Sequence, residues 1–141
     1  MGPITALVVD AGPLYAYVDA DDAHHVDCLN LLQTHRGPLV VPTLVITEAA
    51  YLIGTRLGAE AEVQFLGDFA EGLFTVEPVH AADWVRIAEL VAKYRDLPLG
   101  TADASVIAVA ERRDLHTIAT TDRRHFSVVR PTHVPSFTLV P

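Results

Sequence analysis

The chain has 141 residues, 50% hydrophobic and 20% charged, which suits one folded domain with a real core and excludes a disordered chain. Its net charge of −8, from 18 acidic and 10 basic residues, argues against holding nucleic acid by bulk positive charge, though not against a nucleic-acid enzyme whose carboxylates bind metal. The single cysteine, Cys28, excludes an intrachain disulfide and a cysteine-rich zinc site and fits a reducing cytoplasm.

Ile4–Val9 is a short apolar run with β-branched residues and reads as a buried strand. Asp10-Ala11-Gly12-Pro13 breaks it, and Leu14–Asp19 reads as a short helix opened by Pro13. Asp21 or Asp22 is expected to cap a second helix through about His35, with Val26, Leu29 and Leu32 as its apolar contacts and Cys28 as a small core residue. Leu39–Val41 is a second strand. Thr43 is placed to cap a helix through about Leu57, and Gly58 suits its stop. A helix over about Ala59–Glu71 carries Val63, Leu66, Phe69 and Ala70 at helical spacing. Leu73–Val76 reads as a third strand. In Ala81–Arg95, Trp84, Ile87, Ala88, Val91 and Tyr94 fall on one face of an amphipathic helix. After the loop Asp96–Gly100, Thr101 is expected to cap a helix to about Arg113. His116–Ala119 is a fourth strand, Arg123–Phe126 a turn or short helix, and a last strand lies near Ser136–Val140.

Strands that alternate with helices predict a single α/β domain over residues 1–141, with helices on both faces of a central, mostly parallel sheet. No segment reaches the roughly 20 apolar residues of a membrane span. The start, Met1–Val9, lacks the basic region of a signal peptide, so a cytoplasmic protein is expected.

Asp10, Asp103 and Asp122 stand where a strand or helix begins or ends, and Glu48 lies one turn into the helix after the second strand. In an open α/β sheet, strand ends and adjoining helix starts converge on one crevice. Each Asp alone reads as a turn, a cap or a helix-dipole partner, and Glu48 alone as a solvated helix-face residue. Four converging carboxylates repel one another unless a cation sits between them, and hard oxygen ligands suit Mg²⁺ or Mn²⁺. The neighbours of Glu48 (Ile46, Ala49, Ala50, Leu52) leave few polar residues for a solvated face there, and a carboxylate on an apolar helix needs a partner. Thr120 and Thr121 are placed to hydrogen-bond these carboxylates or a phosphate oxygen. Arg112, Arg113, Arg123, Arg124 and Arg130 cluster in the C-terminal third, where guanidinium groups suit phosphate.

Other chemistries lack their residues. The chain has no phosphate loop, no dinucleotide fingerprint and no nucleophile elbow. His24 and His25, as helix neighbours, point about 100° apart and do not share one metal. His125 reads as a structural or surface residue, and Asp96 as a loop or capping residue. A receiver domain would want an acidic pair after the first strand, and a phosphatase of the haloacid-dehalogenase type a second Asp at Gly12.

The order of these motifs resembles a PIN-domain ribonuclease, most of all the VapC toxins of bacterial type II toxin–antitoxin pairs. An Asp follows the first strand, a Glu sits in the helix start P-T-L-V-I-T-E, and D-L-P-L-G-T-A-D-A-S precedes T-T-D-R-R-H-F. The resemblance spans essentially the whole chain. It implies a PIN-like three-layer α/β/α fold and an acidic quartet of Asp10, Glu48, Asp103 and Asp122. Asp10, Asp103 and Asp122 would bind metal, and Thr121, Arg123 and Arg124 would contact substrate. The implied activity is Mg²⁺- or Mn²⁺-dependent endonucleolytic cleavage of RNA, such as tRNA or another structured RNA. The implied partners are a VapB-type antitoxin and a second copy in a homodimer. The helices Asp22–His35 and Thr43–Leu57 carry many apolar residues, which either offer a partner helix a groove or simply pack on the sheet. One departure is Ala11, where many PIN domains carry Thr or Ser. A catalytically silent PIN-like module remains the main alternative.

Overall fold

The computed structural model describes residues 5–141. In chain order the elements are β1 (Leu7–Val9), α1 (Ala11–Val18), α2 (His25–Thr34), β2 (Leu39–Pro42), α3 (Thr43–Leu57), α4 (Ala59–Ala70), β3 (Thr75–Glu77), α5 (Ala81–Lys93), α6 (Thr101–Arg112), β4 (Thr117–Ala119), α7 (Arg123–Val128) and β5 (Thr138–Val140). All pairings are parallel, in the order β3-β2-β1-β4-β5. Successive residues of β1, β2 and β4 are buried, including Val8, Val9, Val40, Val41, Ile118 and Ala119. Neighbouring strand residues point to opposite faces, so both faces of the sheet are covered. This is the three-layer α/β/α class expected from the sequence.

The strand order positions the site. From β1 the chain steps outward through β2 to β3, then returns to the other side of β1 for β4 and β5. The order therefore reverses between β1 and β4, and a crevice opens beyond their carboxyl ends. Asp10 follows β1 directly, and Thr120, Thr121 and Asp122 follow β4. The Asp10 amide donates to the Ala119 carbonyl at 2.9 Å, tying the two strand ends together. Behind the crevice, α6 packs against α3. Ala104 through Ala110 are all buried, a run of small and β-branched residues that lets neighbouring elements approach closely.

Several boundaries and faces differ from the sequence reading, each for a physical reason. Ile4, the expected start of the first strand, lies outside the described residues. Helix α1 begins at Ala11 rather than Leu14, because Pro13 still falls in the first turn, where a missing N–H costs nothing. Helix α2 begins only at His25. The side chain of Asp19 accepts the Asp21 amide, and that of Asp22 accepts the His24 amide, so these acids hold turns instead of capping a helix. Its inward residues are Cys28 and Leu32, while Val26 is 74% exposed. Thr43 and Thr101 are the first residues of their helices rather than caps, which are Pro42 and Gly100. The Thr43 hydroxyl donates across to the Glu77 carbonyl on β3. Gly58 does end α3, at φ 99°, where an L side chain would be strained.

Helix α4 turns Phe69 inward as expected, and Phe65 with it, but Val63 and Leu66 are exposed. The aromatic chain Phe65–Phe69–Phe74–Tyr17 sets that face. Strand β3 starts two residues later than expected, and Leu73 and Val76 are exposed at this sheet edge. Along helix α5 and its C-cap, Ile87, Val91 and Tyr94 face the core as expected, but Asp83 and Leu90 share that face, while Trp84 and Ala88 are exposed. The buried Asp83 receives the Arg112 guanidinium of α6 at 3.0 Å, and that pair fixes the phase of the helix. Arg112 holds the Asp83 carboxyl below the usual carboxylate range, against the push of burial.

Helix α7 is only six residues long, and two contacts keep it in place. Its Phe126 is buried in the core, and the Asp122 side chain accepts the His125 amide as its cap. Phe126→Ala is expected to lower stability by about 3–5 kcal/mol, read by urea denaturation. A loss below about 1 kcal/mol would mean that α7 is not anchored this way.

Candidate active site

Asp10 is the buried member of the crevice, 5% exposed. It is the N-cap residue of α1 in extended conformation, so its side chain leaves β1 toward β4. The Thr120 hydroxyl donates to Asp10 Oδ2 at 3.0 Å and accepts the Asp122 amide at 2.9 Å. One hydroxyl thus fixes two of the four acids. The other oxygen, Asp10 Oδ1, is buried and has no hydrogen-bond partner among the described residues. Gly12 closes the wall of the crevice, since a Cβ there would stand 2.1 Å from Thr121 Oγ1. Thr120→Val is expected to cost roughly 1–3 kcal/mol, because it strips a donor from buried Asp10; an unchanged melting temperature would exclude that role for the hydroxyl.

Asp103 projects from the first turn of α6, and Asp122 follows β4. Between them lies His125 of α7. Its Nδ1 is 2.9 Å from Asp103 Oδ2 and 3.0 Å from Asp122 Oδ2. One ring nitrogen therefore joins two acids, although the sequence reading placed His125 outside the site. The spacing Asp122 to His125 is the signal that could have found it, because three residues later is the same face of a helical turn. Glu48 is exposed along much of its side chain, beside exposed Thr47 and Tyr51, which corrects the expectation of an apolar surround.

The electrostatics connect all four acids. Burial, then the Asp103 charge, push the Asp10 carboxyl up from its usual value to about 7; Glu48 adds a smaller push, against the pull of the neighbouring Ala11 amide dipole and the Thr120 hydroxyl. Glu48 is raised, first by partial desolvation at the crevice wall and then by Asp103. Asp103 is raised by burial, with His125 pulling it down and Asp122 pushing it up. Like-charged groups that perturb one another in a crevice mark a site that is incomplete without a counter-charge. A divalent cation fits: the donor set is hard oxygen, and Asp10 Oδ1 is an acceptor with nothing to accept. Asp103, Asp122 and His125 offer ligand atoms within 4.8 Å of one another.

Of the other expected contacts, Thr121 lies at the crevice wall, half-buried. Arg124 is exposed on α7 and forms no ion pair among the described residues. The Arg123 guanidinium is engaged with the carbonyls of Leu139 and Pro141. Asp96 is exposed in the turn before α6.

The fold and the acidic crevice define a class. The PIN domain family model matches residues 7–130, and the chain belongs to that family. Its sequence is 36% identical over 135 residues to the ribonuclease VapC26 of Mycobacterium tuberculosis, covering 96% of this chain and 100% of that protein. Among solved structures, VapC20 of Mycobacterium tuberculosis, described as a toxin that cleaves the sarcin-ricin loop, superposes with a TM-score of 0.79 at 20% identity, covering 92% of this chain and 98% of that one. A chain of VapBC2 from Rickettsia felis, solved on a promoter DNA fragment, superposes with a TM-score of 0.67 at 14% identity, covering 96% and 97%.

Proposed function

We propose that this protein is a metal-dependent endoribonuclease acting as the toxin of a toxin–antitoxin pair. The observation that carries the reading is the carboxylate crevice at the β1/β4 switch point, with an unpartnered buried oxygen on Asp10. The ribonuclease relative that this chain matches end to end supports the reaction class. A divalent cation, Mg²⁺ or Mn²⁺, held by Asp10, Asp103 and Asp122 supplies a more acidic water and neutralises phosphate charge. Thr120 keeps Asp10 and Asp122 in register, and His125 keeps Asp103 and Asp122 together. Glu48 completes the acidic set. Arg124 and Thr121 steady the RNA backbone at the crevice mouth, with Arg123 beside them at the start of α7.

A VapB-type antitoxin is the proposed partner. An apolar groove of about 370 Å³, lined by Tyr17, Leu29, Leu32, Leu39 and Phe74, suits an amphipathic segment, and the solved relatives that are VapBC complexes favour it. Exposed Val63 and Leu66 on α4 offer apolar surface to a second copy in a homodimer. No helix among the described residues is long and apolar enough to cross a membrane; it is the toxin role itself that implies a cytoplasmic site of action.

The test is cleavage of purified tRNA and ribosomal RNA with Mg²⁺ or Mn²⁺, beside EDTA and an Asp103→Asn preparation. Discrete fragments lost in both controls are expected. Antitoxin-free protein that cuts neither RNA, and whose melting temperature ignores both metals, would instead be a silent PIN module.

A further inference from the structure

The opposite end of β4 carries a second set of donor side chains. Helix α6 ends at Arg112, and Asp114 follows in the left-handed region at φ 53°. The Leu115 amide returns to the Ala110 carbonyl at 2.8 Å, closing the helix, and His116 leads into β4. From the segment before β5, His133 lies over the same edge, its ring centroid 5.6 Å from that of His116. Asp114, His116 and His133 each offer a ligand atom within 4.8 Å of the others.

Asp114 Oδ1 and His116 Nε2 stand 3.1 Å apart, an ordinary exposed pair whose spacing two ligands of one tetrahedral zinc, roughly 3.3 Å apart, can also adopt. The feature that separates this trio from a surface ion pair is His133. Its Nε2 lies 2.7 Å from the Leu115 carbonyl, which can only accept, so Nε2 carries the proton and Nδ1 keeps a free lone pair. That Nδ1 is buried and has no hydrogen-bond partner among the described residues. With one ring nitrogen tied to a backbone carbonyl and the other unpaired, His133 has the fixed tautomer and the free lone pair that a metal ligand needs.

We propose that Asp114, His116 and His133 form a Zn²⁺ site, separate from the carboxylate crevice. Two imidazoles and one carboxylate are a borderline donor set that selects zinc over the magnesium or manganese suited to an all-oxygen crevice. The ion would join the start of β4 to the segment that delivers β5. The backbone already pairs them there, through the Thr138 amide and the His116 carbonyl at 2.9 Å. His116 and Asp114 are both more than half exposed, so the ion is reached from solvent, and His133 is held by the Leu115 carbonyl. Three protein ligands leave a fourth position open to water.

The experiment measures Zn²⁺ binding and thermal stability in an Asp103→Asn/Asp122→Asn background, which silences the crevice, with excess Mg²⁺ present. One equivalent of Zn²⁺ should bind and raise the melting temperature. His116→Ala and Asp114→Gly should each weaken zinc binding by at least about tenfold. Asp114→Gly is the sharper variant: glycine relieves the left-handed backbone, so the zinc-free protein should melt no lower than its parent while the zinc-induced shift disappears. Zinc affinity unchanged in either variant would overturn the assignment, as would absence of zinc binding in the crevice-silenced protein.

Discussion

Asp10→Asn should make the metal-free protein more stable at about pH 8 while removing its activity. The carboxyl titrates at about 7 in the fold, against 3.8 as its ordinary value. A carboxyl raised by folding binds its proton more tightly in the native state than in the unfolded chain. Its stabilising effect is complete below the ordinary value and is lost as pH rises through about 7. The raised values of Glu48 and Asp103 act in the same direction. Raising the carboxyl from 3.8 to about 7 corresponds to roughly 4 kcal/mol in all, of which about 3 kcal/mol is lost between about pH 5 and pH 8. The metal-free melting temperature should therefore fall by on the order of 10 °C between about pH 5 and pH 8. Asn keeps the shape and accepts the Thr120 hydroxyl without the charge, so much of that slope should vanish in the variant. Saturating Mg²⁺ should flatten it in the parent, because the cation stabilises the ionised form. A wild-type melting curve independent of pH without metal, or an Asn variant with the parent's slope, would show that Asp10 is not the strained group.

How much of this was legible in the sequence depended on whether the deciding contact was local. Asp10, Asp103 and Asp122 could be found because each interrupts or opens a strongly patterned element, and an alternating chain must bring such positions to one sheet edge. The parallel sheet followed from the same alternation. The faces of α4 and α5 were partly misjudged because periodicity counts apolar residues only. In α5 the inward position is taken by Asp83, whose partner Arg112 stands 29 residues away, and no local pattern announces that pair. The start of α2 was placed too early for a related reason: Asp21 and Asp22 had the composition of caps, but the Asp21 amide and the Asp22 side chain are spent on turns. His125 was passed over because its role exists only once Arg123–Val128 is helical and α6 lies beside it. The Zn²⁺ trio was invisible for the same reason, since His133 meets His116 only through the β4–β5 pairing.

Asp103→Asn should reduce RNA cleavage by about a thousandfold or more, a loss of roughly 4 kcal/mol of transition-state stabilisation, without unfolding the protein. Asp103 is the point through which the crevice is coupled: its charge acts on both Asp10 and Glu48, and its Oδ2 receives the His125 ring nitrogen. Asn retains an oxygen that can accept from His125 and removes a charge that burial opposes, so the fold should be as stable as the parent or more so. A role in packing alone would show the reverse pattern, lost stability with proportionate loss of activity. His125→Ala separates the two acids' shared contact from their charges. It leaves all four carboxylates but removes the ring that joins Asp103 to Asp122, so cleavage should fall less than in Asp103→Asn while metal is still bound. If Asp103→Asn cuts RNA at the parental rate and still gains stability from Mg²⁺, the carboxylate crevice is not the catalytic centre. If His125→Ala alone abolishes metal binding, the ring is a ligand in its own right rather than a brace for two acids.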